Sequence, residues 1–467
     1  MKKTKIICTI GPACDTKEDI EKLVNAGMNV ARINLSHGNQ QSHQKTINNL
    51  KAVQKTTKNA FAIMLDTKGP EIRIKNFKNG FASLESNKTF TLTTNEVKGT
   101  NTIVSLAYKN LINDIKIGNL IYANNGNIVL KVKDITKTDI ICKIIYGGIL
   151  TNGKGLNIPN IPIRETYLSE KDKQDLLFAI KNNVEFIAAS FVSKKEDVLS
   201  LKKFLKENGG ETIKIIAKIE NASGVANFEQ IVEICDGLMI ARGDLGVEIP
   251  LEKIPPFQKR AIEHCNNVGK ISIVATEMLE SMTSNFRPTR AEVSDVANAI
   301  YEKTTATMLS GETAVGKNPE RVVKTMNKII VEAEKNIEYN KDFSNKKTKP
   351  LSMVDSVSQS TCLNAVNTKA KAIFVFTNSG QTACFISRHK TSVPIIALTR
   401  NEKIQKQLSL CWNTVCVLQK KALSQKQMIE FSIDYALKNK LAKKGQHIIV
   451  QTGNYSGPSN TSQVITV

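Results

Sequence analysis

Apolar and polar positions follow two different periods along this chain. Short runs rich in β-branched residues end in polar or glycine-rich turns, and they alternate with longer segments whose apolar residues recur every three or four positions. The first pattern is typical of buried parallel strands and the second of amphipathic helices. The alternation therefore predicts parallel βα units from the start of the chain.

The main pattern contains eight predicted strands and eight predicted helices. The predicted strands are 4–9, 28–34, 61–66, 185–190, 212–218, 237–241, 271–275 and 305–309. The predicted helices are 17–26, 40–55, 169–182, 194–206, 224–234, 257–267, 291–302 and 318–336. Eight strands, each followed by a helix, predict a closed (β/α)8 TIM barrel, an α/β fold in which functional groups lie at the carboxyl ends of the strands.

Two stretches depart from this pattern. Between the third and fourth units, short alternating runs separated by Asn- and Gly-rich turns predict a small all-β domain, inserted in a barrel loop where it would act as a lid. After a polar, lysine-rich linker at 345–349, strand-like and helical runs alternate again and predict a compact α/β domain. The predicted domains are the barrel at 1–69 and 167–344, the inserted β-barrel lid at 70–166 and a C-terminal α/β regulatory domain at 345–467.

Composition and charge narrow the class of protein. With 467 residues, of which 41% are hydrophobic and 23% charged, the chain is expected to fold into two to four compact units. Its net charge of +22 is spread along the sequence instead of being clustered. This distribution predicts an anionic substrate and a solvated surface, and it argues against a nucleic-acid partner.

The cysteines and the hydropathy predict a compartment. The nine cysteines form no CxxC pair, which argues against zinc, and their mostly apolar neighbours predict free buried thiols in a reducing cytosol. No uncharged run approaches the ~18 residues that a membrane-spanning helix requires. We therefore expect a soluble, cytoplasmic protein without a membrane partner.

Polar residues gather at the ends of six predicted strands. Each of them alone could be a capping residue, but side chains from six strands at one end of a barrel form a candidate active site. They are Arg32, Asn34, Ser36, His37, Asp66, Thr67, Lys68, Lys218, Glu220, Asn221, Gly243, Asp244, Thr276 and Ser310.

The charges at these strand ends indicate a class of reaction. Glu220 and Asp244 offer hard carboxylate oxygens for Mg²⁺ or Mn²⁺, and two such ligands leave room for a phosphate or carboxylate of the substrate. Lys218 and Arg32 add positive charge that could stabilise a transferring phosphoryl group. The pattern predicts a metal-dependent phosphotransferase.

Five longer motifs make a family resemblance specific. The chain resembles pyruvate kinases from residue 3 to its C-terminus, with the motifs in the order and spacing of that family. The motifs are ARINLSHG at 31–38, LDTKGPEIR at 65–73, AKIEN at 217–221, ARGDLGVE at 241–248 and MLSGET at 308–313.

The resemblance implies transfer of the phosphoryl group of phosphoenolpyruvate to ADP, which gives ATP and an enolate that is protonated to pyruvate. By this resemblance Lys218 stabilises the phosphoryl group in transfer and Arg32 contacts it. Glu220 and Asp244 bind the divalent cation. Asp244 is also implied, together with Arg32, in binding the substrate.

Three further residues are implied in the handling of the enolate. The backbone N–H of Gly243 helps to bind the substrate carboxylate, and Thr276 faces the enolate carbon. Ser310 joins a water relay that delivers the proton. Glu277 stands where the family usually has glutamine, so an additional acid lies next to Thr276.

The resemblance also implies a K⁺ site. Its ligands are the side chains of Asn34, Ser36 and Asp66 and the carbonyl of Thr67, and oxygen-only ligands suit this ion. Glu71 matches the family members that require K⁺, whereas the independent members have lysine there. We therefore expect K⁺ dependence.

Nucleotide contacts are implied next to the K⁺ ligands and at the edges of the insert. They involve Asn34, Leu35, Ser36, His37, Arg73 and Lys154. The family usually has two aspartates in the lid where this chain has Asn124 and Asn125. These amides could weaken nucleotide binding or slow turnover.

The third domain contains a candidate effector loop. Hydroxyl groups and backbone N–H groups at a helix N-terminus can bind a phosphate, and the resemblance implies a sugar-phosphate effector and a homotetramer. An ordinary glycine turn with a threonine cap explains the same residues equally well. The loop comprises Thr377, Asn378, Ser379, Gly380, Gln381 and Thr382.

Two other functions stay open at this stage. One is another metal-dependent barrel enzyme that acts on pyruvate enolates, a lyase or aldolase, although it gives no reason for a lid with Arg73 and Lys154. The other is a catalytically silent anion-binding scaffold. The presence of Lys218, Glu220 and Asp244 argues against a silent protein.

Overall fold

The computed structural model of the protein describes residues 2–124, 126–159, 161, 167–345, 352–452 and 461–467. The chain begins with alternating strands and helices, as the sequence predicts. These are β1 (Lys5–Thr9), α1 (Lys17–Ala26), β2 (Val30–Asn34), α2 (Gln40–Thr56) and β3 (Ala62–Asp66).

An all-β insert follows β3. Its elements are β4 (Phe81–Leu84), β5 (Thr89–Thr93), β6 (Ile103–Ser105), α3 (Leu111–Asp114), β7 (Leu120–Ala123), β8 (Ile128–Ile135), β9 (Asp139–Tyr146), β10 (Gly148–Thr151) and β11 (Leu156–Asn157). Six strands form one sheet in the order β11-β7-β8-β9-β5-β6, and β10 pairs with β4. The insert has its own hydrophobic core, in which Phe90, Leu130 and Ile140 are fully buried. It is therefore a separate compact unit.

The βα alternation resumes after the insert. Its elements are α4 (Glu170–Lys181), β12 (Phe186–Ala189), α5 (Lys195–Glu207), β13 (Lys214–Ile219), α6 (Ala222–Ile234), β14 (Gly237–Ala241), α7 (Arg242–Glu248), α8 (Ile254–Asn267), β15 (Ile271–Ala275), α9 (Arg290–Tyr301), β16 (Ala306–Leu309), α10 (Gly311–Ala314) and α11 (Pro319–Lys335). Two 3₁₀ turns lie at Leu251–Lys253 and Glu280–Thr283.

Eight parallel strands close into the predicted barrel. Their order around the barrel is β1-β2-β3-β12-β13-β14-β15-β16, and β16 pairs with β1. Each strand lies beside the next barrel strand along the chain, so residues at consecutive strand ends become neighbours at one mouth. The fold class predicted from the sequence is confirmed.

Most predicted barrel elements lie within a few residues of the observed ones, but α7 is missed. Gly243 and Gly246 lower the helix propensity of this segment, and the helix has only seven residues. Helix α8 begins at Ile254 instead of 257, because the two prolines that follow occupy its first turn, where a missing N–H is tolerated. The helical turn after β14 thus lies directly at the barrel mouth.

The C-terminal domain has a five-stranded sheet. Its elements are α12 (Tyr339–Asn345), α13 (Met353–Asn367), β17 (Ile373–Phe376), α14 (Gln381–Arg388), β18 (Ile395–Thr399), α15 (Glu402–Gln407), β19 (Thr414–Leu418), α16 (Gln425–Lys438), β20 (His447–Thr452) and β21 (Thr461–Thr466). The strand order is β19-β18-β17-β20-β21, and only β21 is antiparallel to its neighbour. The sequence analysis misses β21. Most of the predicted linker, 346–349, lies outside the described residues.

A segment of the C-terminal domain closes the amino end of the barrel. Leu410, in a 3₁₀ turn at Leu408–Leu410, is fully buried in the same cluster as the barrel-interior side chains of Ile7 and Phe186. The Ser409 hydroxyl donates to the Ala60 carbonyl, 3.0 Å away, just before β3. The candidate site at the carboxyl ends of the strands therefore lies at the opposite end of the barrel.

Replacing Leu410 by alanine is expected to destabilise the protein. The substitution leaves a cavity in a fully buried cluster, which costs about 2–5 kcal/mol. Thermal and urea unfolding of wild type and Leu410→Ala would measure the loss. Leu437→Ala, on the outer side of α16, is the matched control because Leu437 is 37% exposed. Equal small shifts for both variants would contradict the role assigned to Leu410.

Candidate active site

Two adjacent strands supply a buried ion pair at the barrel mouth. Arg32 on β2 donates through Nε to Asp66 Oδ2 at the end of β3, over 2.7 Å, and through Nη1 to Thr9 Oγ1, over 2.9 Å. Burial raises the pKa of Asp66, but the charges of Arg32 and Lys218 outweigh it and hold the pKa below its usual range. Asp66 is therefore an anion that fixes the position of the Arg32 guanidinium.

Lys218 on β13 is held by three oxygen atoms. Its Nζ donates to Asp66 Oδ1 at 3.0 Å and to Ser190 Oγ at 2.6 Å, and it lies 2.8 Å from Glu220 Oε1. Burial lowers the pKa of this ammonium group, but the carboxylates of Asp66 and Glu220 raise it above the ordinary lysine value. Lys218 is thus a fixed cation at neutral pH.

Ser190 belongs to this network and is missed by the sequence analysis. It follows β12, and besides contacting Lys218 its hydroxyl lies 2.7 Å from the Thr67 carbonyl and 3.1 Å from Asp66 Oδ1. The available signal was its place directly after the fourth barrel strand. The same rule that selected residues after the other strands would have found it.

Two carboxyl groups adjoin the cation. Glu220 directly follows β13, and Asp244 lies in α7 after the neighbouring strand β14. Burial raises the pKa of both groups, the charge of Asp244 raises that of Glu220 further, and the charge of Lys218 opposes these effects. Two partly desolvated carboxylates in one place favour a bound cation.

The donor set fits a divalent metal ion that is completed by substrate. Glu220 and Asp244 present hard oxygen ligands, which Mg²⁺ and Mn²⁺ prefer. Over the part of the chain that the structure describes, no cluster of three or more His, Cys, Asp or Glu residues could hold a metal ion. Two carboxylates leave coordination positions on such an ion for water and for the substrate.

Thr276 lies in a strained turn after β15. Its φ of 68° and that of Glu277, 54°, fall in the left-handed region, which is unfavourable for a β-branched residue. The turn is held by Arg242, whose Nη2 donates to the Thr276 carbonyl over 2.8 Å and whose Nη1 donates to Asp295 over 2.7 Å. The geometry directs Thr276 Oγ1 to the backbone N–H of Gly243, 2.7 Å away.

Ser310, after β16, presents a hydroxyl without a partner. Its backbone N–H donates to Glu312 Oε2 over 2.6 Å, and within the described residues its buried Oγ has no hydrogen-bond partner. Ser310 and Thr276 line the same cleft as Gly243 and Asp244. An ordered water or a substrate atom could satisfy this hydroxyl.

The cleft lies between the barrel and the insert and has a volume of about 1430 Å³. The insert contributes residues such as Tyr122 and Gly126, and the barrel contributes α7 with Thr276. Across this boundary the amide of Asn157 on β11 donates to Glu248 Oε1 over 3.2 Å. The insert therefore covers the mouth, in the position of a lid.

The four predicted K⁺ ligands lie at adjacent strand ends. Asn34 is paired in register with Asp66 across β2 and β3, and the Asn34 side chain accepts from the backbone N–H of Ser36 over 3.1 Å. The Thr67 carbonyl accepts from Ser190. An oxygen-only set of this kind fits a monovalent hard cation.

Leu35, His37 and Lys154 are predicted nucleotide contacts in different surroundings. His37 is exposed and Lys154 is half-buried, whereas the Leu35 side chain is buried in the hydrophobic core outside the barrel strands. Leu35 can therefore offer only its backbone atoms to a nucleotide.

Arg73 and Glu71 form an ion pair where the insert begins. Arg73 Nε donates to Glu71 Oε2 over 2.8 Å and Nη1 donates to the Gly153 carbonyl over 2.7 Å. A side chain at Gly155 would collide with Glu71 Oε1, so the two connecting segments approach closely there. The pair links both ends of the insert near the barrel.

The candidate effector loop forms a compact turn before α14. Gly380 has a φ of 82°, and its backbone N–H donates to Thr377 Oγ1 over 2.9 Å. One donor and one hydroxyl that could contact a ligand are thus used within the loop. Asn124 lies in a left-handed turn after β7, and Asn125 lies outside the described residues.

Both main parts of the chain match families of known proteins. Residues 1–323 match the family described as "Pyruvate kinase, barrel domain", and residues 355–467 match "Pyruvate kinase, alpha/beta domain". Two relatives named pyruvate kinase, from Staphylococcus aureus strains MRSA252 and USA300, are 45% identical over 100% of this chain and 80% of their own length. A solved structure of a pyruvate kinase from Cryptosporidium parvum is similar with a TM-score of 0.94 at 36% identity, covering 100% of this chain and 96% of that one.

Within the described ranges, no helix is both long and apolar enough to cross a bilayer.

The burial of the Glu248 carboxyl group is expected to make the stability of the protein depend on pH. Burial raises the pKa of Glu248 to about 7, with opposing effects of Asn157 and the Ile158 backbone. Because the folded state then binds its proton more tightly than the unfolded state, stability falls as pH rises from about 4.5 to 7. Glu248→Gln does not titrate and should be more stable than wild type above pH 7, by about 1–3 kcal/mol.

Unfolding midpoints of wild type and Glu248→Gln between pH 5 and pH 8 would measure this effect. The difference should shrink towards pH 5, where the wild-type carboxyl is protonated in the folded protein. Glu252→Gln, at an exposed glutamate, controls for the removal of one negative charge. A difference that is constant with pH would contradict the assignment.

Proposed function

This chain belongs to the pyruvate kinase family, and we propose on that premise how its residues transfer the phosphoryl group of phosphoenolpyruvate to ADP. The reaction yields ATP and the enolate of pyruvate, which is then protonated. The observation that carries the assignment of roles is the buried Lys218 ammonium, held between Asp66, Ser190 and Glu220 next to Arg32.

Lys218 and Arg32 stabilise the phosphoryl group in transfer. Its transition state spreads negative charge over the peripheral oxygens, so catalysis depends on cations that are already in position. Asp66 binds both side chains, one through each carboxylate oxygen, and so fixes their orientation. The two cations therefore need little rearrangement when the phosphoryl group is transferred. Ser190 is a positioning residue because it holds Lys218 through its hydroxyl.

Glu220 and Asp244 would hold Mg²⁺ or Mn²⁺. When bound there, the ion neutralises charge on the oxygens of the phosphoryl group and the carboxylate. Burial raises the pKa of Glu220, and the charge of Lys218 next to it opposes this rise and favours the carboxylate form. Asn34, Ser36, Asp66 and the Thr67 carbonyl would hold K⁺, which adds positive charge next to Arg32.

Gly243, Thr276 and Ser310 act on the other side of the substrate. The Gly243 N–H donates to Thr276 Oγ1, so a substrate carboxylate that takes this N–H displaces the threonine hydroxyl. The freed Thr276 faces the enolate carbon, and the unpartnered Ser310 Oγ can hold the water that passes on a proton. The strained backbone at Thr276 thus positions this side chain for the protonation step.

The lid and the nucleotide residues complete the site. His37, Arg73 and Lys154, with the 34–36 segment, would contact ADP beneath the insert. Closure of the insert over the cleft excludes water, which would otherwise hydrolyse the phosphoryl group. A lyase or aldolase has no comparable need for this lid.

The regulatory and assembly properties extend the proposal. A sugar-phosphate effector would bind at 377–382, and the chain would assemble as an allosteric homotetramer. Since Gly380 N–H and Thr377 Oγ1 already bond to each other, the effector would bind mainly through the other loop groups. A cytoplasmic location stays a prediction from the sequence.

The first test is ATP formation from phosphoenolpyruvate and ADP with Mg²⁺. Lys218→Met removes the central cation and should lower kcat by at least about 10²–10³-fold, the usual effect of losing one transition-state donor. Lys173→Met, at a partly exposed lysine of α4, is the matched control and should keep wild-type activity. Full activity in Lys218→Met, with its folding verified by circular dichroism, would refute the proposed role.

A second test concerns K⁺. Wild-type activity should rise when K⁺ is added to a buffer containing only tetramethylammonium. Glu71→Lys should lose this response, because the introduced ammonium group supplies the positive charge that K⁺ provides in the wild type. Glu85→Lys, at an exposed residue of the insert, makes the same charge change far from the ion ligands. An unchanged K⁺ response in Glu71→Lys, or activity in wild type without K⁺ that equals the stimulated rate, would contradict the prediction.

A further inference from the structure

A pair of cysteines lies away from the candidate active site, in the C-terminal domain. Cys384 is on α14 and Cys411 follows the 3₁₀ turn at Leu408–Leu410. Their Sγ atoms are 3.9 Å apart. Cys384 is partly exposed, whereas Cys411 is one of the seven buried cysteines, so solvent reaches the pair from the side of Cys384.

The surroundings favour a thiolate on one sulfur and a thiol on the other. The contact with Cys384 lowers the pKa of Cys411 against the effect of burial, and the hydroxyl of Thr414, 3.3 Å from Cys411 Sγ, adds to the lowering. The same pairing and burial raise the pKa of Cys384. The buried ammonium of Lys5, which donates to the Thr414 carbonyl over 2.7 Å, lies close enough to favour the anion.

We propose that Cys384 and Cys411 form a reversible intramolecular disulfide when the protein is exposed to a peroxide. The Cys411 thiolate attacks one oxygen of hydrogen peroxide, which gives a sulfenic acid and hydroxide. The Cys384 thiol then attacks the oxidised sulfur, the S–S bond forms and water leaves. In total two thiols are oxidised by two electrons, one peroxide is reduced, and two waters are produced.

The geometry requires little movement. A disulfide bond is about 2.05 Å long, so the sulfurs must approach by about 1.9 Å, a distance within the reach of side-chain rotation. The two cysteines are 27 positions apart in the sequence, so the bond would close a loop that contains β18 and α15. It is thus a cross-link between separate elements.

The bond would join two functionally distinct parts of the fold. Helix α14 begins at the 377–382 loop, and Cys411 directly follows Leu410, which closes the amino end of the barrel. On the other side, α14 packs near Gly269 of the barrel domain, where an added side chain would meet Phe385 and Arg388. The disulfide would therefore restrain α14 relative to the barrel.

The experiment uses the full chain, reduced and then treated with a small molar excess of hydrogen peroxide. After the remaining thiols are blocked with N-ethylmaleimide, peptide mass spectrometry without reductant should detect a Cys384–Cys411 cross-link that dithiothreitol reverses. The same treatment is applied to Cys384→Ser and to Cys416→Ser. Cys416 is the matched control because it is the other partly exposed cysteine.

The expected result is an intramolecular cross-link in wild type and Cys416→Ser and its loss in Cys384→Ser. The oxidised wild type should also unfold at a higher temperature than the reduced protein, and Cys384→Ser should show no such shift. Because Cys384 is partly exposed, its replacement by serine should leave the fold intact, which circular dichroism would verify.

Three results would overturn the proposal. The first is a cross-link between two chains through Cys384, seen as a doubled mass on a non-reducing gel. The second is stepwise oxidation of Cys384 to sulfinic acid without a disulfide. The third is a loss of two reactive thiols with a gain in mass instead of the loss of two hydrogens, which would indicate a bound soft metal ion and not a disulfide.

Discussion

The contact between the Lys218 ammonium and the carboxylates of Asp66 and Glu220 is the constraint on which the barrel mouth depends. All three groups are buried, and removing charges from water costs several kcal/mol per ion unless each is compensated. The two carboxylates compensate Lys218, and Arg32 compensates the second oxygen of Asp66. The two cations and the two carboxylates balance in formal charge, so the network is compensated within the protein.

The closed barrel makes this network structurally feasible. Arg32, Asp66, Ser190 and Lys218 lie on or directly after β2, β3, β12 and β13, which are consecutive around the barrel. Hydrogen bonds between these parallel strands fix their spacing, so the polar side chains are held by rigid elements. Rigid support of this kind keeps charged groups oriented without solvent reorganisation.

The neighbouring side of the mouth consists of the strained turn at Thr276 and of the insert that covers it. The left-handed backbone at Thr276 and Glu277 persists because Arg242 binds their carbonyl groups. The insert contacts α7 through the hydrogen bond from Asn157 to Glu248 and covers part of the cleft. The helix that contains Asp244 is therefore in contact with the lid at one end and with the Thr276 turn at the other.

Local patterns along the chain predict the barrel, the inserted β domain and most candidate residues. Strand and helix periods are local properties, and parallel βα repeats allow few topologies, so Arg32, Asp66, Lys218 and Glu220 could be placed at one mouth from the sequence alone. The sequence does not predict α7, because two glycines lower the helix propensity of this short segment. It also does not predict the role of Ser190, which depends on a contact with Lys218 of another strand.

Several contacts at and around the site cannot be predicted from local patterns. Four examples are the ion pair of Arg73 with Glu71, the burial of Leu35, the docking of Leu410 into the amino end of the barrel and the approach of Cys384 to Cys411. The local sequence pattern around each residue does not indicate which group it contacts. Contacts of this kind are set by how whole elements pack. Hydrophobic periodicity reports the face that an element buries, but not the partner that it meets there.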